Sequence, residues 1–235
     1  MGSRNTYGSP RVWRILLGMG INISEDTVAR YMRDMGLYAK SKKKFKAPAT
    51  TDSNHPHPIA DNKVGRNFVA SKPNETWLSD LTYIKTGEGW LYLVSVMDLF
   101  SRKIVGWNLS TSLEADGTIA ALEMAVKSQK PGPGLTFHSD QGVQYACKQF
   151  RSRIEVYGFI QSMSRRGDCY DNAPMESFFH TLKTEYVHHE EFFELEQAAL
   201  GVFEWIECFY NRKRIHSSIG YKTPVEKEEE FMLAA

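Results

Sequence analysis

Three consecutive β-strand patterns dominate the middle of the chain and limit the folds open to it. The first, ETWLSDLTYIKT from residue 75, alternates between two faces, so that Leu78, Asp80 and Ile84 share one side. GWLYLVSVMDLF and RKIVGWNLS follow after short turns. Because strands joined so closely pair side by side, we predict an antiparallel meander over residues 75–110.

Helix and strand patterns then alternate. EADGTIAALEMAVKSQ repeats its apolar residues at helical spacing, and GLTFHSD is a short strand that ends at Asp140. A helix over Lys148–Tyr157 and a fifth strand, GFIQSM, follow. This order predicts an α/β fold, with a mixed five-stranded sheet flanked by helices.

Two aspartates stand out in that sheet. Asp80 lies in mid-strand on a side shared with apolar residues, a costly position for an ionised acid without a cation or donors nearby. Asp140 ends its strand, and Gly142 lets the backbone turn away. Taken singly, Asp80 also fits a strand-edge aspartate in water, and Asp140 also fits a turn former.

The segment DCYDNAPMESFF, residues 168–179, opens a helix predicted over about 174–187. Asp171 and Asn172 suit its cap, and Asp168 suits a loop that pairs with Arg165 or Arg166. Glu176 lies at the edge of the buried face, with Lys183 two turns further along. An alternative role for Glu176 is to complement the helix dipole. The stripe expected to face the core is Met175, Phe178, Leu182 and Tyr186.

The N-terminal part of the chain is basic. Residues 1–72 carry thirteen Lys and Arg against five Asp and Glu, whereas the remainder carries sixteen against twenty-three. The imbalance indicates an arm that meets a polyanion, or else a solvated basic linker. Two short helices, capped by Ser9 with Pro10 and by Ser24, surround a tight turn; they fit either a helix-turn-helix or an ordinary basic helical hairpin.

Residues 41–72 have the composition of a linker, with a charge run at Lys42, Lys43 and Lys44 followed by Pro and Asn. His55 and His57 lie beside prolines, which favours a loop over a metal site. A terminal segment, EKEEEF, is predicted to be a solvated tail.

Several classes of protein are disfavoured by composition. No apolar run approaches the roughly 18 residues of a membrane span, and no signal peptide is evident after Met1. The three cysteines are far apart and form no CxxC pair, which argues against a disulfide framework or cysteine zinc site and fits a reducing cytoplasm.

WLSDLTYIKT, HSDQGVQY and DNAPMESFFHTLKTE together resemble the motifs of the DDE transposase and integrase superfamily, whose core has the ribonuclease H-like fold. The 35 residues between Asp140 and Glu176 match the separation typical of retroviral-type integrases. YNRKRIHSSIGYKTP near the C-terminus resembles the closing motif of bacterial insertion-sequence transposases, specifically the product of their second reading frame. The likeness runs from about Tyr7 to Pro224.

The resemblance implies that Asp80, Asp140 and Glu176 bind Mg²⁺ or Mn²⁺, as two ions, and catalyse hydrolytic cleavage and strand transfer on double-stranded DNA. It also implies that Lys183 contacts the DNA end. Arg165 and Arg166 are further candidates for phosphate contacts. The cluster Arg212, Lys213 and Arg214 fits either DNA contact or a helix-dipole role.

The predicted organisation is a helix-turn-helix-like segment over residues 1–40, a linker over 41–72, an integrase core over 73–225 and an acidic tail over 226–235. Expected partners are target DNA, terminal repeats, further copies of the chain and a first-frame product, with no membrane. A metal-dependent nuclease of the same fold and a non-catalytic DNA-binding regulator are the rival hypotheses. A retroviral integrase fits less well, because His55 and His57 have no nearby cysteine pair.

Overall fold

The computed structural model describes residues 3–40, 55–165 and 169–234. Its centre is a five-stranded sheet. The strands are β1 Thr76–Thr86, β2 Gly89–Asp98, β3 Ile104–Ser110, β4 Thr136–Ser139 and β5 Ile160–Met163. They lie in the order β3-β2-β1-β4-β5. The first three strands form the predicted antiparallel meander, and β4 and β5 continue the sheet in parallel with β1.

Helices cover both faces of the sheet. The helices are α1 Ser9–Gly18, α2 Glu25–Asp34, α3 Ala115–Gln129, α4 Val143–Ala146, α5 Lys148–Val156, α6 Ala173–Glu185, α7 Leu195–Phe203 and α8 Pro224–Ala234. The predicted mixed α/β architecture is confirmed, and α4 is a short addition that the sequence patterns did not indicate. None of the helices in the described ranges is long and apolar enough to cross a membrane.

Two hydrophobic clusters lie on opposite faces of the sheet. One joins Leu78 and Ile84 of β1 to α6 and α7, and the other joins Trp77 to α3 and α5. Because successive side chains of β1 point to opposite faces of the sheet, neighbouring residues of this strand pack against different helices. Helix α3 approaches so closely that a Cβ on Gly106 would lie 2.2 Å from the main-chain oxygen of Ala121, so this position requires glycine.

The helices α1 and α2 form a compact pair. Ser24 caps α2 as predicted, accepting a hydrogen bond from Thr27 N at 3.2 Å. The predicted Ser9 cap is wrong, since Gly8 occupies the cap position and makes no side-chain cap bond. Trp13 Nε1 donates to Ile23 O at 2.7 Å and ties the first helix to the turn.

The N-terminal helices dock on the C-terminal part of the chain through Tyr7. This residue is buried; its hydroxyl donates to Lys213 O at 3.1 Å and accepts from Ile215 N at 2.9 Å. Residues 55–72 also lie against the core, although they form no helix or strand. Within them His55 Nε2 bonds to Gln141 O at 2.8 Å, as a loop contact.

The C-terminal residues form more structure than expected. Helix α7 continues into a π-helical turn, Glu204–Tyr210, whose buried residues complete the first hydrophobic cluster. The segment predicted as a tail is part of a helix, α8, whose Phe231 packs against Phe100 at a centroid distance of 5.2 Å. Glu226, Glu229 and Glu230 are exposed, as expected for a solvated segment. Glu228 also pairs with Lys103.

Candidate active site

The register of two parallel strands brings Asp80 level with Asp140. Strands β1 and β4 pair through Leu78 and His138, and each aspartate lies two residues further along its own strand. Neighbouring strands lie about 4.8 Å apart. The pairing therefore places both carboxylates at the same level of the sheet, where β4 ends.

Helix α6 supplies the third carboxylate. Met175 and Phe178 pack into the cluster that contains Leu78 and Ile84, so α6 covers the face of β1 that also holds Asp80. Glu176 lies in the first turn of this helix and is exposed. The predicted core stripe is confirmed, and it orients the helix that carries Glu176 toward the two aspartates.

The charges of these residues act on one another. Removal from water, together with the negative charges of Asp140 and Glu176, raises the pKa of Asp80 well above its usual range. Leu81 N donates to Asp80 Oδ1 at 2.7 Å, and Gly142 N donates to Asp140 Oδ1 at 2.9 Å. The site is thus strongly negative and suited to a cation.

Lys183 is the cationic neighbour of this group. Its Nζ lies 4.6 Å from the ring centroid of Tyr83, and its positive charge favours the ionised form of Asp80. Partial burial lowers the pKa of Lys183. The structure therefore brings together the four residues that the motifs indicated most strongly.

A buried histidine, which sequence reasoning missed, connects the elements of the site. His138 Nδ1 lies 2.9 Å from Ser162 Oγ on β5, and Nε2 lies 3.0 Å from the main-chain oxygen of Asp171. Because a carbonyl oxygen only accepts, Nε2 carries the proton. Desolvation lowers the pKa of His138 and keeps the ring neutral. A polar ring within the apolar pattern of β4 was the available signal.

The start of α6 is fixed by contacts other than those predicted. Asn172 occupies the cap position, but its Nδ2 donates to Ser79 O at 3.1 Å instead of capping the helix. Asp171 is not a cap either. Its buried carboxylate accepts from Arg165 Nη2 at 2.8 Å and Arg66 Nε at 2.9 Å. These bonds tie the helix to β1, to the end of β5 and to residues 55–72.

The remaining basic candidates fall into different environments. Arg214 is buried and forms a two-pronged ion pair with Glu185, at 2.7 and 2.8 Å, which corrects its prediction as a DNA contact. Arg212 and Lys213 are exposed. The candidates that lie outside the described residues are Lys42, Lys43, Lys44 and Arg166, together with Asp168.

In the described ranges, no three His, Cys, Asp or Glu side chains form a preformed metal cage. This finding is compatible with Mg²⁺, which is usually held by one or two carboxylates, with waters and substrate phosphates completing its shell. The donor set of Asp80, Asp140 and Glu176 consists of hard oxygen atoms, the type that Mg²⁺ and Mn²⁺ prefer.

Comparison with protein families agrees with this architecture. Models of the integrase core domain match residues 70–169 and 157–224, and a model of an HTH-like domain matches residues 2–45. The match decides between the two interpretations of the N-terminal helices in favour of the helix-turn-helix. These matches place the chain among the polynucleotidyl transferases of the DDE superfamily.

Sequence comparison over most of the chain assigns it to a group within this superfamily. The chain is 42% identical over 229 residues to the insertion element IS600 uncharacterized 31 kDa protein of Shigella sonnei, covering 97% of this chain and 84% of the relative. It is 40% identical over 226 residues to transposase InsF for insertion sequence IS3A of Escherichia coli (strain K12), covering 96% and 78%. The chain belongs to the bacterial insertion-sequence transposases of this IS3 family.

Solved structures share the fold at low identity. The simian T-cell lymphotropic virus intasome matches with a TM-score of 0.58 and 15% identity, covering 88% of this chain and 67% of that one. The HTLV-2 integrase catalytic core domain in complex with magnesium matches with a TM-score of 0.53 and 17% identity, covering 68% and 99%. These likenesses confirm the predicted ribonuclease H-like fold.

Proposed function

We propose that this transposase cuts and joins DNA strands with Asp80, Asp140 and Glu176 as its catalytic triad. The observation that carries the proposal is the level placement of the two aspartates by the β1–β4 register, beneath the helix that bears Glu176. The negative charges of Asp140 and Glu176 both raise the pKa of Asp80. If the three acids had only separate local roles in a strand, a turn and a helix, they would have no reason to lie close enough for this effect.

The three carboxylates would hold Mg²⁺ or Mn²⁺, as two ions. Such a pair supplies activation of the attacking oxygen and stabilisation of the leaving oxygen in an in-line displacement at phosphorus. The mutual repulsion of the acids supports this assignment, since a divalent cation relieves it. The HTLV-2 integrase catalytic core domain, which shares the fold, was solved in complex with magnesium, and this agrees with the proposed metal.

The protein groups then have distinct tasks. The backbone bond from Leu81 N restrains the Asp80 carboxylate, and the bond from Gly142 N restrains that of Asp140. Lys183 would contact a phosphate at the DNA end, beside the scissile bond. Water is the first nucleophile and exposes a 3′-hydroxyl, which then attacks a second phosphodiester in the same site. No covalent bond to the protein is required.

Further DNA contacts are proposed for the exposed basic side chains. Arg212 and Lys213 are exposed near the docked N-terminal helices, beside the main-chain groups that bond to Tyr7. A helix-turn-helix positions a protein on duplex DNA through phosphate and groove contacts. Arg165 remains a candidate for a phosphate contact although it also pairs with Asp171, and Arg166 and Lys42 to Lys44 are candidates on charge alone.

The active assembly is proposed to contain several copies of the chain on terminal repeats and target DNA. The intasome match supports assembly on DNA by a protein of this fold. A first-frame product of the same element is a further proposed partner, and the bacterial cytoplasm, at the nucleoid, is the proposed location.

Supercoiled plasmid tests the triad without knowledge of the terminal repeats. Wild type, Glu176→Gln and the control Glu155→Gln, which alters an exposed acid on α5, are incubated with Mn²⁺, Mg²⁺ or EDTA. We expect metal-dependent nicking by wild type and control and its loss in Glu176→Gln. Nicking that persists in Glu176→Gln would place the chemistry elsewhere.

Joined products distinguish the transposase from the rival functions. Pre-cut DNA ends with a free 3′-hydroxyl should become linked to the plasmid in the same metal-dependent manner. Cutting without joining would favour the metal-dependent nuclease. DNA binding without cutting or joining, unaffected by EDTA, would favour the non-catalytic regulator.

A further inference from the structure

A polar cavity lies on the side of α6 away from Glu176. It has a volume of about 220 Å³, is open to solvent on one side, and is lined by α1, α6, the turn after β2 and the segment that follows the π-helical turn. Its walls include three arginines and no acidic residue. The polar and charged residues that line it are Arg11, Arg102, Arg214, His216, Ser177, Thr181, Ser217 and Ser218.

The positive charge of the cavity is only partly compensated. Glu185 accepts both bonds from Arg214 and lies 3.6 Å from Arg11 Nη1. Asp98 lies near Arg102, but its carboxylate already accepts hydrogen bonds from Ser101 and Asn74. The three guanidinium groups therefore have two acids nearby, Glu185 and Asp98, and neither acid lines the cavity.

The histidine in the wall adds no charge. Burial and the positive charges of Arg214, Arg11 and Arg102 lower the pKa of His216 to about 2, so the ring is neutral at physiological pH. Arg214 Nη1 lies 3.3 Å from Nδ1 of this ring. Partial burial also lowers the pKa of Arg11 and of Arg102.

One donor in this group has no acceptor. Arg102 Nε is buried and has no hydrogen-bond partner among the described residues, although Nη2 donates to Phe68 O at 3.1 Å. Buried guanidinium donors are normally satisfied, and an orphan indicates a ligand or water that completes the site. Planar guanidinium groups match the oxygens of phosphate in particular.

We propose that this cavity binds a phosphate group, supplied either by the backbone of bound DNA or by free inorganic phosphate. Its volume is several times the roughly 30 Å³ that one water occupies in the liquid. It is nevertheless smaller than the roughly 300 Å³ or more of pockets for drug-sized ligands. A small oxyanion fits this size and would balance Arg11 and Arg102, since Arg214 is already paired with Glu185. Because α1 and α6 share the cavity, the ligand would brace the DNA-binding helices against the catalytic helix.

Thermal unfolding of the full chain in EDTA tests the site independently of metal chemistry. Sodium phosphate is compared with sodium chloride at equal ionic strength. Phosphate at about ten times its Kd should raise the Tm by roughly 3–6 °C. Equal Tm values in the two salts would overturn the proposal.

Two variants test whether the rise in Tm comes from phosphate bound in the cavity, and a third serves as control. Arg11→Gln removes one cation, and Ser218→Glu places a carboxylate at an exposed position of the cavity wall without deleting any contact of the core. Each should abolish most of the phosphate-induced shift, whatever its own starting Tm. Arg153→Gln, at an exposed position of α5 on the opposite face of the sheet, should keep the full shift. A full shift in both cavity variants would also overturn the proposal.

Salt titration of DNA binding identifies the source of the phosphate. If a backbone phosphate occupies the cavity, Arg11→Gln should reduce the slope of log affinity against log salt by about one relative to Arg153→Gln. If both variants show the same slope while phosphate stabilises the wild type, the cavity binds free phosphate.

Discussion

Nε2 of His138 donates to the main-chain oxygen of Asp171 at 3.0 Å, and this bond joins the strand that ends in Asp140 to the start of the helix that carries Glu176. The ring is fully buried, and Ser162 occupies its other nitrogen. Two elements of the candidate active site are therefore held together by one neutral side chain. Its removal should affect both stability and the alignment of the acids.

His138→Ala is expected to lower the free energy of unfolding by about 2–4 kcal/mol, because it removes two buried hydrogen bonds and leaves a cavity. Urea unfolding measures the loss. His180→Ala, which removes an exposed ring from α6, should change it by no more than about 0.5 kcal/mol. Equal stability of the two variants would show that the histidine contacts are dispensable.

Asp171 should make the protein sensitive to acid. The hydrogen bonds and charge of Arg165, assisted by Arg66, hold the pKa of this carboxyl well below its usual range. A folded-state pKa below the unfolded value of about 3.9 stabilises the protein fully above that pH, and the contribution declines as the pH falls further. The Tm difference between wild type and Asp171→Asn should therefore be constant from pH 7 to 5 and shrink below pH 4. A difference that grows in acid would contradict this assignment.

Arg214 and Arg212 are near neighbours in sequence with opposite expected roles. Arg214→Met leaves the largely buried Glu185 without its main partner and should cost about 3–5 kcal/mol of stability. Arg212→Gln should leave stability within about 0.5 kcal/mol and instead weaken DNA binding, reducing the salt slope by about one. Chemical denaturation and fluorescence anisotropy with labelled duplex separate these effects. A stable Arg214→Met protein would disprove the buried role.

Gly106 tests the packing of α3 on the sheet. Gly106→Ala would place a methyl group 2.2 Å from Ala121 O and 2.7 Å from Ala125 N, so strand and helix must separate. We expect a loss of about 1–3 kcal/mol or more. Gly132→Ala is the matched control, since an added Cβ there meets no atom within 4 Å. If the two variants unfold at the same denaturant concentration, the close approach is not present in solution.

Local patterns were sufficient for most of the sheet and its helices. Strand β1 was predictable because its side chains alternate between two faces, each of which packs against helices. Helix α6 was predictable because Met175, Phe178 and Leu182 recur at helical spacing. The helix cap at Ser24 was predictable for the same reason, since it depends only on residues three positions apart. The prediction of a cap at Ser9 failed because α1 begins one residue earlier, with Gly8 at the cap position. Glycine at this position lowers helix stability only slightly relative to serine.

Residue types and motif spacing also selected the catalytic candidates. Asp80, Asp140 and Glu176 were selected by the resemblance of their motifs to those of the DDE superfamily, since each acid taken singly also has a plain structural explanation. The parallel register that sets Asp80 level with Asp140 was not visible in either strand alone, since pairing depends on segments 60 residues apart.

The order of strands and helices and the basic N-terminal part could be predicted from the chain alone, because they follow from periodicity and composition within short windows. The three candidate acids came from the resemblance of their motifs to a known superfamily. Three features emerged only in the folded chain: Arg214 is buried against Glu185, Asp171 pairs with Arg66 and Arg165, and residues 224–234 form a helix, α8. These outcomes depend on which distant groups meet. A charged side chain is a DNA contact or a buried ion pair according to the partner that the fold places beside it, and no local pattern specifies that partner.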